Sequence, residues 1–158
     1  METYLGLSDS VRQQIAQNLS LLLADSYVLY TKTQNFHWNV SDSRFYFLHI
    51  FLKKEYKKLE EAISEIAERI RELGKLVPGS LKQFLDMTSF KEFHENLSAD
   101  EMIQELLKNH ESICCFLRER IDLVSKLGDE KTANLLIQRL RAHEKSAWLL
   151  RSQLPSFF

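Results

Sequence analysis

Two histidines and a downstream glutamate are the residues of this sequence best suited to hold a metal ion. His37 and His49 are twelve residues apart in the segment NFHWNVSDSRFYFLH, and Glu68 follows in SEIAERIRELG. Two imidazoles with one carboxylate are a ligand composition that proteins use for iron, and imidazole nitrogen also suits zinc. We therefore predict a metal site built from these three side chains, with iron as the expected metal and zinc as an adventitious occupant.

Several of these residues share one face of a predicted helix. Because an α-helix turns by about 100° per residue, five polar positions between 49 and 68 fall within a stripe about 100° wide. They are His49, Lys53, Glu60, Ser64 and Glu68. His49 and Ser64 are nonetheless fifteen residues apart. That separation is about 22 Å along a helix axis, whereas a metal–ligand bond is about 2 Å, so one subunit cannot close the site.

Two copies of this helix, packed antiparallel about a two-fold axis, would bring the two ends of the stripe together. His49 and Lys53 of one subunit would then approach Ser64 and Glu68 of the partner subunit, and symmetry would produce two such sites. His37 would join from the same subunit as His49. The pattern thus predicts at least a dimer. In the alternative interpretation, both histidines cap or bridge helix ends and the stripe is a solvated face.

The elements that must position these residues are long helices. Apolar residues recur at helical spacing, and the 158 residues include only four Gly and two Pro. We predict long helices over about 9–38, 44–73, 98–128 and 129–152, with a short helix between about 78 and 98. A long connection between the second and third long helices is typical of the ferritin-like four-helix bundle. The sequence therefore predicts an all-α fold, with residues 1–158 forming a single domain.

The charge, the amino-terminal segment and the cysteines limit the partners and the cellular location that we expect for this protein. The formal net charge is −1, and the basic residues are interspersed with acids, so DNA is not an expected partner. The segment METYLGLSDS lacks the features of a signal peptide, and no apolar run approaches a membrane span, so we expect a cytoplasmic protein. Cys114 and Cys115 are adjacent, too close for an ordinary disulfide. We expect both to be buried or partly buried helix residues.

Collinear segments along nearly the whole chain resemble the Dps proteins, the mini-ferritins named for DNA protection in starved cells. They are LLADSYVLYTKTQNFHWNV, EIAERIRELGKLVPGSLKQFL, SADEMIQELLKNHE, LGDEKTANLL and HEKSAWLLRSQL. The resemblance implies a four-helix bundle with a short helix in its crossover, assembled as a hollow dodecamer. It also implies a ferroxidase site between two-fold-related subunits, where ferrous iron is bound and oxidised by hydrogen peroxide before storage as ferric mineral.

The family's site residues can be placed on this sequence. Its two histidines correspond to His37 and His49, and its last glutamate corresponds to Glu68. The acidic position four residues after the second histidine is Lys53, and the aspartate four residues before the glutamate is Ser64. Because an ammonium group opposes the approach of a divalent cation, these two substitutions predict weakened ferroxidase chemistry.

Four further positions complete the expected site and pore. Glu60 lies on the same stripe and is a candidate compensating carboxylate, which could pair with Lys53 or replace a missing ligand. The resemblance places Trp38 near the iron site, with packing at a helix interface as the alternative. At the family's three-fold iron-entry pore, an aspartate is replaced by Asn134, and Asp129 keeps some acid there.

Three functions from different classes remain open. The first is an iron-storing cage with weakened ferroxidase activity that protects against iron and peroxide. The second is a structural cage without ferroxidase activity, in which Lys53 replaces the metal at the two-fold interface. The third is a DNA-binding protection protein. This last function is the least expected, because family members that bind DNA usually do so through lysine-rich terminal extensions, and neither METYLGLSDS nor LPSFF is one.

Overall fold

The chain folds into four long helices and one short one. The computed structural model describes residues 3–92 and 96–155. The helices are α1 (Asp9–Asn39), α2 (Phe45–Glu72), α3 (Leu81–Met87), α4 (Ala99–Lys126) and α5 (Glu130–Arg151). Neither described range contains a β-strand. The predicted all-α bundle with a short helix in its crossover is confirmed, and the predicted ends of the four long helices differ from the observed ones by only a few residues.

The long helices pack as two hairpins around a common apolar core. α1 packs mainly against α2 and α4 mainly against α5, while α3 lies on α1. Each long helix contributes fully buried aliphatic side chains to the core, for example Leu19, Ile66, Leu106 and Leu150. Each such side chain stabilises the fold by roughly 1.5–3 kcal/mol on burial. The polar stripe of α2 is consequently left on the outside of the bundle.

Local capping signals explain where the helices begin and end. Ser8 accepts a hydrogen bond from the Val11 N–H at 3.2 Å and caps α1. The Ser98 N–H and the Glu101 carboxylate form the reciprocal half of a capping box at 2.7 Å, which starts α4. Gly128 follows α4 with φ of 86°, a left-handed conformation that glycine adopts without strain.

Removing the α4 cap gives a first test of this local analysis. We expect Ser98→Ala to lower the free energy of unfolding by about 1 kcal/mol, because the backbone N–H of Glu101 loses its acceptor. Urea unfolding followed by circular dichroism measures the change. Ser112→Ala removes an exposed hydroxyl within the same helix, and we expect no loss from it. Equal losses in the two variants would contradict the capping role.

A buried ion pair joins the end of α2 to the start of α5. The Arg69 guanidinium donates to both carboxylate oxygens of Asp129 at 3.0 Å, and its Nε donates to Thr132 at 2.8 Å. Asp129 is also the N-cap of α5, accepting from the Thr132 N–H at 3.1 Å. This junction ties the two hairpins together at one end of the bundle.

The structure also tests what the sequence predicted about membrane spans and about the two cysteines. Among the residues that the structure describes, no helix is both long and apolar enough to cross a lipid bilayer. Cys114 is partly buried, as expected, and burial raises the pKa of its thiol to about 11. Cys115 is exposed, so the expectation for it is wrong. The reason is that the next position on a helix is rotated by about 100°, which turns Cys115 away from the core.

Candidate functional site

The α1–α2 turn brings the two predicted histidine ligands into direct contact. His37 lies in the last turn of α1 and His49 near the start of α2. Their rings stack with centroids 3.9 Å apart and an interplanar angle of 16°. His37 is buried, whereas His49 is partly buried. The structure thus places the two imidazoles side by side, one from each helix of the first hairpin.

A reciprocal pair of hydrogen bonds orients the two rings. His37 Nδ1 lies 2.6 Å from the carbonyl oxygen of His49, and His49 Nδ1 lies 2.8 Å from the carbonyl oxygen of His37. A carbonyl oxygen can only accept, so each Nδ1 carries a proton and donates. In the neutral form of each ring, the lone pair therefore lies on Nε2. Backbone carbonyls commonly hold metal-binding histidines in this way, with the second nitrogen left as the ligand.

The turn that positions the histidines is anchored to the second hairpin. Arg44 donates from Nη2 to the carboxylates of Asp42 at 2.8 Å and of Asp100, in the first turn of α4, at 2.7 Å. A further bond of 3.1 Å runs from Arg44 to the carbonyl oxygen of Gln153. The hydrogen bonds from Arg44 hold the pKa of Asp42 well below its usual range. The start of α2 is thereby held against both α4 and the segment after α5.

Aromatic side chains surround the histidine pair. Tyr56 presents its edge to His37 with centroids 5.4 Å apart, and Phe45 stacks on His49 at 5.1 Å. Trp38 is 63% exposed in the isolated subunit, and Trp148 is 59% exposed. Neither tryptophan is therefore buried in the core of its own subunit. The proximity of Trp38 to an iron site remains a prediction.

The remaining residues of the polar stripe lie on the open surface of α2. Lys53, Glu60, Ser64 and Glu68 are all exposed. Within residues 3–92 and 96–155 of one subunit, no group of three or more His, Cys, Asp or Glu side chains is placed to hold a metal ion. One subunit thus supplies the two histidines, and any carboxylate ligand would have to come from elsewhere. The roles of Lys53 and Glu60 at an interface remain predictions.

The two predicted pore residues have different environments. Asn134 is exposed and lines a shallow cleft together with Glu68. Asp129 is buried, and both of its carboxylate oxygens bind Arg69. Burial alone would raise the pKa of Asp129, but hydrogen bonds from Thr132 and Arg69 outweigh it and lower that pKa. Asp129 therefore stabilises the subunit in its own right, and its contribution to a pore remains a prediction.

The structure contains a second polar cluster, between α2, α4 and α5, which the sequence analysis did not predict. His110 of α4 and His143 of α5 are both buried, and their Nδ1 atoms lie 2.9 Å apart. Glu55 of α2 is also buried and accepts a hydrogen bond from Ser146. The sequence could have indicated that His110 is buried, because His110 falls at helical spacing with Leu106, Ile113 and Leu117, which face the core.

The class of protein follows from the bundle and from a family comparison. Residues 16–157 match the model of the ferritin-like domain. A four-helix bundle with a long crossover between its hairpins is the architecture expected of that class. The protein is a ferritin-like protein.

Individual relatives narrow the class. The chain is 39% identical over 150 residues to an uncharacterized low temperature-induced protein of Nostoc sp., covering 94% of this chain and 84% of that one. It is 32% identical to DNA protection during starvation protein 2 of Bacillus anthracis, covering 91% and 99% of the two chains. A Dps crystal structure from Vibrio cholerae O1, described as a member of the ferritin-like diiron-carboxylate proteins, matches with a TM-score of 0.91 and 30% identity over 97% of each chain. The chain belongs to the Dps family.

Proposed function

We propose that this protein is a mini-ferritin that forms a hollow homo-oligomer, expected to be a dodecamer, and takes up ferrous iron between two-fold-related subunits. The observation that carries this proposal is the stacked pair His37 and His49, with both Nδ1 atoms bound to backbone carbonyls. Both Nε2 lone pairs are left to bind a cation. The stripe on α2 supplies Glu68, which is exposed and too far along the helix to reach the same ion from its own subunit.

The donor set fits ferrous iron as a substrate. His37 and His49 would supply two imidazole nitrogens, and Glu68 of the partner subunit would supply a carboxylate. Oxidation then removes one electron from each of two ferrous ions and passes both electrons to one hydrogen peroxide, which takes up two protons and leaves as two waters. The protein's part is to orient the two histidines through the hydrogen bonds from their Nδ1 atoms to backbone carbonyls.

Lys53 weakens this chemistry in the proposed assembly. Its ammonium group would stand near Glu68 of the partner subunit, in the space that the incoming cation needs. A unit positive charge a few ångströms from a divalent ion opposes binding by several kcal/mol, even at an effective dielectric constant of about 20. Glu60, on the same exposed stripe, is the residue that would offset part of this repulsion.

A second candidate function rests on the same lysine. Lys53 forms no ion pair with any residue of the described part of its own subunit, although it is exposed on a stripe that carries two glutamates. In a structural cage, the Lys53 ammonium would pair with Glu68 of the partner subunit and replace the metal. Iron-specific anomalous scattering from soaked crystals separates the two functions, because strong peaks beside His49 would exclude the structural cage. No comparable observation favours DNA binding.

Peroxide-dependent iron oxidation tests the proposed activity. The assembled protein is mixed with ferrous iron and hydrogen peroxide, and the rise in ferric absorbance is followed. We expect a rate above that of the protein-free control and a loss of most of that excess in Glu68→Gln. Glu119→Gln, an exposed glutamate of α4, is the matched control and should leave the rate unchanged. A wild-type rate equal to the protein-free control would refute the proposal.

A further inference from the structure

Arg139 of α5 is a partly buried cation whose guanidinium lacks a full set of hydrogen-bond partners among the described residues. Among the residues that the structure describes, no carboxylate forms an ion pair with it, and its buried Nε has no hydrogen-bond acceptor. Its Nη2 donates to Nε2 of the neutral His143 ring, at 3.3 Å. Burial lowers the pKa of the guanidinium, and the attraction of Glu65 opposes this only in part. Because an unpaired and partly desolvated charge is costly, a bound anion would stabilise the folded protein at this position.

Arg139 lies in the wall of a cavity with a strong positive charge. The cavity, of about 280 Å³, opens between α2, α4 and α5. Its charged lining consists of Lys58, Arg139, Arg141, Lys145 and Glu55. Four cations and one carboxylate leave a net charge of +3. The carboxylate is already engaged, because Glu55 accepts hydrogen bonds from Lys58 at 3.1 Å and from Ser146.

The buried histidine pair in the same wall, His110 and His143, is neutral, and the position of its two protons follows from the hydrogen bonds. Arginine can only donate, so His143 Nε2 accepts from Arg139 and the His143 proton lies on Nδ1. His143 Nδ1 then donates to His110 Nδ1, at 2.9 Å, which places the His110 proton on Nε2. Burial lowers the pKa of both rings, and that of His110 falls to about 4. Arg139 thus occupies the lone pair that a metal ion would need on His143.

We propose that this cavity is a binding site for a tetrahedral oxyanion, inorganic phosphate, anchored by the guanidinium of Arg139. Phosphate carries a charge of about −1.5 to −2 near neutral pH, which suits the three uncompensated cations of the lining. A guanidinium offers a planar fork of donors that binds two phosphate oxygens at once. Neither His37 nor His49 lines this cavity, and its occupancy does not depend on iron chemistry.

Calorimetric titration with inorganic phosphate tests the site. The assembled protein is titrated in a chloride buffer of constant ionic strength at pH 7.5, and we expect saturable binding of one phosphate per subunit. Arg139→Gln should weaken that binding by at least about tenfold. Arg118→Gln removes the same charge from the exposed surface of α4, outside the cavity, and should change affinity by less than about twofold. Absence of saturable binding, or equal weakening in the two variants, would overturn the proposal.

Two further measurements keep the test independent of folding. Phosphate should raise the Tm of the wild-type protein and of Arg118→Gln, but not that of Arg139→Gln, because only a ligand of the folded state stabilises it. Adenosine monophosphate distinguishes free phosphate from a phosphate carried on a larger molecule. We expect it to bind at least about tenfold more weakly than inorganic phosphate in this small cavity. Equal or tighter binding of the nucleotide would refute the assignment to free phosphate.

Discussion

Replacing Lys53 and Ser64 together by aspartate is expected to raise ferrous-iron affinity and the peroxide-dependent oxidation rate by about 10- to 100-fold. In the proposed assembly, the change would convert a positive charge into a negative one near the two histidines and would add a carboxylate at position 64 of the partner subunit. Even after screening at an exposed site, a three-unit change of charge near a divalent cation corresponds to a few kcal/mol. Equilibrium titration with ferrous iron under anaerobic conditions measures the affinity, and stopped-flow absorbance measures the rate.

A matched variant separates the position of these charges from their number. Lys54→Asp with Ser112→Asp makes the same change of charge at two exposed positions, one on a different face of α2 and the other on α4. We expect little gain in iron affinity from it. If Lys53→Asp with Ser64→Asp brings no gain over the wild type, Lys53 and Ser64 do not stand at ligand positions, and the altered-site hypothesis fails.

Removing one partner of the buried Arg69–Asp129 pair is expected to destabilise the protein by roughly 3–5 kcal/mol. In Arg69→Met the Asp129 side chain, only 3% exposed, keeps its charge but loses both bonds from the guanidinium. Guanidinium chloride unfolding, followed by circular dichroism, measures the loss. Arg71→Met is the matched control, because Arg71 is exposed and, within residues 3–92 and 96–155, its side chain bonds only to the carbonyl oxygen of Lys75. A similar loss in both variants would show that the ion pair is not the cause.

The Arg69–Asp129 pair also predicts how the stability of the protein depends on pH. Hydrogen bonds from Thr132 and Arg69 hold the pKa of Asp129 in the folded protein below the ordinary value of an aspartate. A carboxyl group whose pKa is lowered by folding contributes stability above its unfolded pKa and loses that contribution as the pH falls through the folded pKa. We therefore expect the wild-type protein to lose stability below about pH 4 more steeply than Asp129→Asn. This assignment would be contradicted if the free energies of unfolding of the two proteins fell in parallel from pH 6 to pH 2.

Much of the fold was predictable because its signals are local. Apolar residues at helical spacing, the Ser98 capping box and Gly128 lie within a few residues of the features that they specify. Local periodicity also placed His49 and Glu68 on one face of α2, and helix dimensions showed that one subunit could not join them. The contact between His37 and His49 was not visible in the spacing itself, because the α1–α2 turn and its Arg44 anchor determine where the two rings meet.

The sequence by itself determined the helices, the family and the identity of the two histidines, because these depend on residue type and on short-range spacing. Only the tertiary structure decided which nitrogens of those histidines are left free, since that depends on carbonyl groups twelve residues away. It alone also showed that Asp129 is bound by Arg69, and that Arg139 lies beside His143 with a buried Nε that has no acceptor among the described residues. These contacts join residues far apart in the chain, and helical periodicity carries no information about which side chains of different helices meet.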